Sequence, residues 1–281
     1  MSSQKTIRCA VVGNPIAHSR SPEIHRLFAS QFALPLQYVK MLADKNDFTD
    51  HVRGFFAQGG KGLNITVPFK EKAFAMAEHL SPSAQAAGAA NTLWMEDGKL
   101  HGCNTDGTGL VHDLRRLGFD PENKRILLIG AGGAAKGVLL PLLNAKAALV
   151  HIMNRTAAKA EALAAQHPSY KSTLSTGGLE HITGTWDIVI NATSSSLEQK
   201  NPLPETTQKT LQFSDHSLAY DMVYGNEATV FMNNCQAQGV SQSADGLGML
   251  VGQAAESFAI WHGHNPDTEA VLKVLRQPKA C

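Results

Sequence analysis

Residues 125–135 read RILLIGAGGAA, an apolar run that ends in a cluster of glycines. The unbroken apolar character before the glycines is typical of a strand in a parallel sheet that is covered on both faces. Residues 130–135 then fit the pattern G-x-G-x-x-A, and helical sequence follows them. Glycine permits a tight turn and a close approach to a pyrophosphate, while the helix N-terminus offers that anion free N–H groups. The stretch therefore predicts a dinucleotide-binding strand–turn–helix unit; the alternative is a glycine-rich turn without a ligand.

The next predicted strand, residues 148–153, indicates which dinucleotide is bound. A site for NAD usually places Asp or Glu about 20 residues beyond the glycines, on the ribose 2′-hydroxyl. Here Asn154, Arg155 and Thr156 follow the strand, Lys159 comes one turn later, and no acid is present. Arginine suits bidentate phosphate recognition, so the segment favours NADP over NAD. The alternatives are that Arg155 and Lys159 are solvated surface charges and that Thr156 caps the next helix.

The rest of the chain continues the alternation of strands and helices, which predicts an α/β fold with two domains. Residues 187–190 and 218–222 are predicted as further parallel strands of the dinucleotide-binding unit. We divide the chain into residues 1–107, a first α/β domain, residues 108–245, a Rossmann-type doubly wound domain, and residues 246–281, which are helical. The pattern alone does not assign these last helices to either domain.

The strands of the first region are short. Residues 7–12 are predicted as a strand, and residues 63–67 alternate apolar and polar side chains, which predicts a half-buried strand. Asp97-Gly98 is a hairpin signal between two further short strands.

Helices are predicted where apolar residues recur with the helical period. One opens at Ser21-Pro22, with Ser21 as N-cap and an apolar face of Ile24, Leu27, Phe28 and Phe32. Another starts at Pro68 and is expected to bury Ala73, Met76, Ala77 and Leu80. Pro141 is expected to kink or shorten the helix after the glycine turn. Two C-terminal helices are expected to bury Met249, Val251, Ala255, Phe258 and Trp261, and Ala270, Val271, Val274 and Leu275.

Short polar side chains cluster at the ends of the predicted elements in the first region. Asn64 and Thr66 share one side of a strand, and Asn91 and Asp106 lie in turns. Lys70 falls in a first helical turn, where a cation opposes the helix dipole. Each has a purely structural interpretation as a cap or turn residue. A lysine held by an aspartate can also transfer a proton at a carbonyl or hydroxyl group.

Composition excludes several classes of protein. The 281 residues carry 25 basic and 24 acidic side chains, so no basic field for nucleic acid is present. No apolar run is long enough for a membrane span, and we expect no signal peptide. Neither the four scattered cysteines nor the twelve histidines show metal-ligand spacing, so we expect no metal and a reduced, cytoplasmic setting.

Nine blocks, taken in order, resemble the signature blocks of the shikimate dehydrogenase family over nearly the whole chain. They are HSRSP (18–22), NITVPFK (64–70), GAANT (88–92), NTDG (104–107), GAGGAA (130–135), NRT (154–156), NATS (191–194), DMVY (221–224) and ADGLG (244–248). The resemblance implies NADPH-dependent, reversible reduction of 3-dehydroshikimate to shikimate on the route to aromatic amino acids. It also implies that the C-terminal helices return to the N-terminal substrate domain.

The resemblance also implies site residues. Lys70 would exchange the proton, with Asp106 as its partner. The implied substrate-binding residues are Ser19, Ser21, Asn64, Thr66, Lys70, Asn91, Asp106, Tyr224 and Gln253. The implied NADP-binding residues are Gly130, Ala131, Gly132, Gly133, Ala134, Asn154, Arg155, Thr156, Ala157, Ala158, Lys159, Thr193, Met222 and Gly246.

Two other functions are weighed against this one. A quinate/shikimate dehydrogenase that uses NAD is the enzymatic alternative, and the missing acid after Asn154 argues against it. A dinucleotide-binding module without catalysis would keep the glycine turn and need neither Lys70 nor Asp106. The expected partner is a small-molecule substrate rather than nucleic acid or a membrane, and both a monomer and a homodimer are compatible with the sequence.

Overall fold

The computed structural model describes residues 6–180 and 182–277, and the chain divides into two units. The first comprises Met1–Gly109 and Val251–Cys281, and the second comprises Leu110–Leu250. Each unit contains one six-stranded sheet flanked by helices in the described residues. The predicted α/β fold is confirmed.

The first unit has a mixed sheet with strand order β2-β1-β3-β5-β6-β4, in which β5 runs antiparallel to both neighbours. Its strands are β1 (Ile7–Gly13), β2 (Leu36–Leu42), β3 (Gly62–Ile65), β4 (His79–Leu80), β5 (Thr92–Glu96) and β6 (Lys99–Cys103). The helices up to the second unit are α1 (Ser21–Gln31), α2 (Phe48–Ala57), α3 (Lys70–Met76), α4 (Pro82–Ala87) and α5 (Asp106–Arg116). The predicted hairpin is confirmed: Glu96 pairs with Lys99, and Asp97 and Gly98 both have positive φ.

The second unit has a wholly parallel sheet with strand order β12-β11-β10-β7-β8-β9. Its strands are β7 (Arg125–Ile129), β8 (Leu149–Met153), β9 (Leu174–Gly177), β10 (Thr185–Asn191), β11 (Gln212–Asp221) and β12 (Gln242–Asp245). Its helices are α6 (Gly133–Asn144), α7 (Ala157–Ala165), α8 (Glu205–Thr210), α9 (Val230–Ala237) and the start of α10 (Leu247–His262). The chain reverses its direction of strand addition between β7 and β10, which is the switch point of a Rossmann-type sheet.

Helices α5 and α10 each begin in one unit and end in the other, and α11 (Thr268–Arg276) follows in the first unit. The second unit has a separate apolar core on each face of its sheet, as continuous apolar strands require. None of the helices in the described ranges is long and apolar enough to span a bilayer.

The prediction of a half-buried strand at residues 63–67 is wrong. Strand β3 is only Gly62–Ile65 and is buried on both faces. The indole of Trp261 on α10 lies so close to Gly62 that a Cβ there would be 2.2 Å from it. A helix almost two hundred residues away therefore covers the face that the polar Asn64 seemed to expose to solvent.

The helix predicted from Pro68 is shorter than expected. Helix α3 starts at Lys70 and ends at Met76, and Leu80 lies in strand β4. Only Ala73 of the expected apolar set is fully buried, while Met76 and Ala77 are partly buried against the same core.

Three predictions about helix ends and faces are also wrong. Arg20, not Ser21, occupies the N-cap of α1, so Ser21 is already inside the helix. Helix α6 is not shortened at Pro141 but continues to Asn144, with Leu142 and Leu143 buried beyond the proline. The buried face of α11 is turned by about one position from the predicted one and consists of Val271, Leu272 and Leu275, with Ala270 and Val274 exposed.

Candidate active site

Lys70 and Asp106 are each the first residue of a helix, α3 and α5, and their side chains form an ion pair. Lys70 Nζ lies 2.5 Å from Asp106 Oδ2. The side chains are 30% and 15% exposed, so the ammonium group remains accessible to a ligand. The helix dipole disfavours a cation at this end of α3, and the carboxylate offsets that cost. The pair provides a charged proton donor held in one place.

The amide of Asn91 fixes the other side of the same carboxylate. Asn91 Nδ2 donates to Asp106 Oδ1 at 2.8 Å and to Thr105 Oγ1 at 2.9 Å, and Gln253 Oε1 lies 3.3 Å away. The Oδ1 atom of Asn91 accepts from the Thr105 N–H group, so both ends of the amide are engaged. Asn91 is 2% exposed, which makes it a rigid support inside the unit.

Asn64 belongs to the same network through Ser257. Asn64 Nδ2 donates to Ser257 Oγ at 2.9 Å, and Ser257 is 2.8 Å from Thr92 Oγ1. Thr92 donates in turn to Asn91 Oδ1 at 2.8 Å. Asn64 Oδ1 accepts from the hydroxyl of Tyr38 at 2.7 Å. A continuous set of hydrogen bonds therefore joins β3, β5 and α10 to the Lys70–Asp106 pair.

The two serines of the HSRSP block lie beside Tyr38. Ser19 Oγ donates to Ser21 Oγ at 3.2 Å and accepts from the Ser21 N–H group. The Ser21 side chain also hydrogen-bonds to Tyr38. Burial raises the pKa of the Tyr38 phenol well above its usual range, so it remains a neutral donor. Thr66 lies in the same unit, where its methyl group packs against Gly13, and it takes no part in these side-chain hydrogen bonds.

Seven residues that the sequence singled out thus lie in hydrogen-bonded groups of the first unit: Ser19, Ser21, Asn64, Lys70, Asn91, Asp106 and Gln253. Tyr224 lies in the second unit and is 36% exposed. The sequence analysis missed four participants in the first unit, which are Tyr38, Thr92, Thr105 and Ser257. Tyr38 and Ser257 lie in strand and helix patterns with no polar spacing signal, and Thr92 and Thr105 stand in quoted blocks without a role assigned to them.

The glycine turn between β7 and α6 is shaped to admit an anion. Gly130 has φ +113°, and a Cβ there would lie 3.1 Å from the Thr193 side chain. A Cβ at Gly132 or Gly133 would meet only open space. The first helical hydrogen bond runs from the Lys136 N–H group to the Gly132 carbonyl, so the N–H groups ahead of it have no helical acceptor. These features fit the pyrophosphate of a dinucleotide.

The end of β8 presents cations without an acid. Asn154 Nδ2 donates to the Thr156 carbonyl at 3.0 Å, which shapes the turn into α7. The side chains of Arg155 and Lys159 are both exposed. Thr156 occupies the N-cap position of α7, as the capping interpretation expected, but its side chain makes no capping hydrogen bond. Ala157 and Ala158 form the first turn of α7. The arrangement fits a ribose that carries a 2′-phosphate.

The remaining predicted cofactor residues follow the carboxyl ends of β10, β11 and β12. The Thr193 N–H and hydroxyl groups donate to Asn191 Oδ1 at 3.0 and 2.7 Å. A Cβ at Gly246 would lie 2.2 Å from the Met222 carbonyl oxygen, so only glycine fits there. Together with the glycine turn, these residues line the edge of the sheet at which doubly wound folds bind ligands.

Three family models match successive parts of the chain. The shikimate dehydrogenase substrate binding domain matches residues 11–93, and the shikimate / quinate 5-dehydrogenase model matches residues 114–208. The shikimate 5′-dehydrogenase C-terminal domain matches residues 246–276.

Individual relatives match along almost the whole chain. Shikimate dehydrogenase (NADP(+)) of Bordetella petrii is 52% identical, over 96% of this chain and 95% of its own. Among solved structures, an Ael1 enzyme from Pseudomonas putida is 43% identical with a TM-score of 0.89, covering 98% of this chain and 100% of its own. Shikimate 5-dehydrogenase from Thermus thermophilus, solved with NADP(H) and shikimate, is 32% identical with a TM-score of 0.85, covering 96% and 98%. This chain therefore belongs to the shikimate dehydrogenase family.

Proposed function

We propose that the chain reduces 3-dehydroshikimate to shikimate with NADPH and catalyses the reverse reaction with NADP⁺. The observation that carries the proposal is the 2.5 Å Lys70–Asp106 pair, held by Asn91 in a buried network of a chain that belongs to this family. Two relatives named shikimate dehydrogenase (NADP(+)), each 52% identical to this chain, support the same activity and cofactor. The step serves the shikimate pathway of aromatic amino-acid biosynthesis.

Lys70 is the proton donor in the direction of reduction. Bound NADPH supplies the hydride that reduces the carbonyl carbon. The Lys70 ammonium group donates a hydrogen bond and then its proton to the carbonyl oxygen, which becomes the hydroxyl of shikimate. Asp106 holds the ammonium group in position, and in the reverse direction neutral Lys70 accepts the hydroxyl proton. Asn91 prevents the carboxylate from turning away, since it occupies the second oxygen.

Small polar side chains bind the substrate in this proposal. Hydroxyls and amides suit both the ring hydroxyls and the carboxylate of shikimate, because a hydroxyl donates or accepts as needed. Ser19 and Ser21 lie at the N-terminal end of α1, where the helix also favours an anion. We assign Asn64, Thr66, Asn91, Tyr224 and Gln253 to the substrate as well, and Lys70 and Asp106 to the reacting oxygen.

The cofactor is assigned to the second unit. The glycine turn binds the pyrophosphate through backbone N–H groups from residues 130–134, and the segment 154–159 binds the adenosine ribose and its 2′-phosphate. Thr193, Met222 and Gly246 complete the set along the sheet edge. The cation-rich, acid-free end of β8 supports NADP, and a quinate/shikimate dehydrogenase using NAD is not favoured.

Domain roles and setting are part of the same proposal. Residues 1–107 together with 246–281 form the substrate domain, and residues 108–245 form the NADP-binding domain. Cys9, Cys103 and Cys235 are all free thiols, which supports a reducing cytoplasmic setting. Sedimentation velocity on the purified chain distinguishes a monomer from a homodimer.

Initial rates with purified protein test the activity. Shikimate and quinate are each offered with NADP⁺ and with NAD⁺, and nicotinamide absorbance reports turnover. We expect the highest kcat/KM for shikimate with NADP⁺. A preference for quinate with NAD⁺ would favour the alternative enzyme. Binding of NADPH without oxidation in the presence of 3-dehydroshikimate would indicate a binding module instead.

A further inference from the structure

Asp221, the last residue of β11, carries a fully buried carboxylate that four neutral donors surround. Oδ2 accepts from Ser196 Oγ at 2.6 Å and from Thr229 Oγ1 at 2.7 Å. Oδ1 accepts from the Val223 N–H group at 3.0 Å and from Asn191 Nδ2 at 3.2 Å. Both oxygens are therefore fully used without a cation.

The four donors come from four places around the end of β11. Ser196 lies in the loop after β10, and Asn191 ends β10 itself. Val223 lies in the loop after β11, and Thr229 is the N-cap of α9, where its side chain also accepts from the Met232 N–H group. One carboxylate thus fixes two loops and the start of a helix at the carboxyl edge of the sheet.

These are the loops that carry cofactor residues. Asn191 uses its Nδ2 atom on Asp221 and its Oδ1 atom on Thr193, so the position of Thr193 depends on the Asp221 carboxylate through one amide. Met222 and Tyr224 flank Val223, whose N–H group is bound directly. Asp221 itself is turned into the core and away from solvent.

We propose that Asp221 is a positioning residue for the dinucleotide, which acts by holding Thr193 and the Met222–Tyr224 turn in their binding geometry. This inference rests on the proposed NADP-dependent function. The carboxylate of Asp221 is required for this role because its two oxygens accept hydrogen bonds from four donors. An amide at the same place has one acceptor oxygen and would turn its own N–H groups toward two of the donors. Leaving buried donors unsatisfied costs enough to loosen both loops.

Calorimetric titration of NADP⁺ into Asp221→Asn tests the proposal without catalysis. We expect the Kd for NADP⁺ to rise about tenfold or more, because unsatisfied buried donors release the loops in the free protein. The Kd for shikimate is expected to rise much less than the Kd for NADP⁺, since Ser19, Asn64 and Asn91 lie in the other unit and, of the residues assigned to shikimate, Tyr224 alone lies in the turn that Asp221 holds.

Asp187→Asn is the matched control. Asp187 accepts from the Arg125 N–H group at 2.8 Å and from Ser214 Oγ at 2.8 Å, at the amino-terminal end of the same sheet. We expect its Kd for NADP⁺ to stay at the parent value. An equal rise in both variants would show general loosening of the unit and would overturn the proposal, as would an unchanged Kd in a folded Asp221→Asn variant.

Milder variants decide the matter if Asp221→Asn does not fold. Ser196→Ala removes one donor and Thr229→Val another, while Thr229→Ser keeps the hydroxyl. We expect weaker NADP⁺ binding in the first two while the protein remains folded, and recovery in Thr229→Ser. Parent-like binding in Ser196→Ala and Thr229→Val would overturn the proposal. A parent chain that binds NADP⁺ but does not oxidise shikimate would instead contradict the proposed function alone.

Discussion

The carboxylate of Asp106 is shared between two side chains: Lys70 Nζ lies 2.5 Å from one oxygen and Asn91 Nδ2 lies 2.8 Å from the other. Asn91 is buried and engaged at both ends of its amide, so the carboxylate has little freedom to rotate. The position of the lysine ammonium group therefore depends on a buried amide that belongs to a different strand–turn segment. This is the arrangement expected where one proton must be delivered repeatedly to the same atom.

Lys70→Ala is expected to lower kcat for shikimate oxidation by a factor of about 10²–10⁴, because the proton acceptor is lost. The KM for shikimate should change much less, since most polar contacts remain. Steady-state rates with NADP⁺ measure both. Lys72→Ala is the control, because Lys72 lies in the same helix and is exposed. An unchanged kcat in Lys70→Ala would remove this residue from the chemistry.

Arg155→Ala is expected to raise the KM for NADPH about tenfold and to leave the KM for NADH unchanged, since only NADPH carries the 2′-phosphate. Reductive rates with each cofactor at saturating 3-dehydroshikimate measure the split. Lys171→Ala, an exposed cation of the same unit, should behave as the parent chain. Equal losses with the two cofactors would contradict a contact between Arg155 and the phosphate.

Gly62→Ala is expected to lower the free energy of unfolding by about 1–3 kcal/mol, because the added methyl group overpacks against Trp261. The built Cβ lies 2.2 Å from the indole. Gly54→Ala is the matched substitution: Gly54 lies inside α2, and nothing is within 4 Å of its Cβ position. It should stabilise the chain by about 0.5–1 kcal/mol. Thermal melts of both variants measure the difference, and a similar fall in both would refute the packing argument.

His25 is expected to make stability depend on pH below neutrality. Burial lowers its pKa from 6.5 to about 3, and its ring is stacked 4.3 Å from that of Tyr38. Between these pH values His25 is protonated in the unfolded chain and neutral in the folded chain. The stability that is present above pH 6.5 is therefore lost as the pH falls toward 3.

His25→Phe should flatten this dependence, because a phenyl ring keeps the stacking and does not titrate. Urea unfolding from pH 7 down to acid measures the slope, which falls by up to about one proton per molecule. Burial also lowers the pKa of His262, to about 4. This residue therefore maintains part of the dependence of stability on pH in the His25→Phe variant. If the slopes of the parent and His25→Phe coincide, His25 does not control acid stability.

The sequence predicted the second unit well because its signals are local. Each of its main features can be recognised within about ten residues: the strand before Gly130, the glycine turn and the apolar strands. Because connections between parallel strands are right-handed, few topologies are then possible. The pairing of Lys70 with Asp106 was expected from the resemblance to the family, whereas the helix dipole alone only marked Lys70 as an unusual residue for a helix start.

The errors arose where distant segments decide the outcome. Asn64 was assigned to the exposed side of a half-buried strand because no residue near it in the sequence indicates that α10 covers this side. In the structure, Ser257 and Trp261 of α10 lie against it. Asp221 and Tyr38 were missed for the same reason. A buried polar group is identified by the donors and acceptors around it, and these come from elements far apart in the chain.

The first unit is built from two separate parts of the chain, and this determines when the site can form during synthesis. Gln253 and Ser257 hydrogen-bond with residues that precede residue 110, yet they lie on α10, close to the end of the chain. A nascent polypeptide therefore carries the Lys70–Asp106 pair long before the amide network around it can close. The ribosome must release α10 first, so translation that stops before residue 253 yields Lys70, Asp106 and Asn91 without the Gln253 and Ser257 contacts that complete their network.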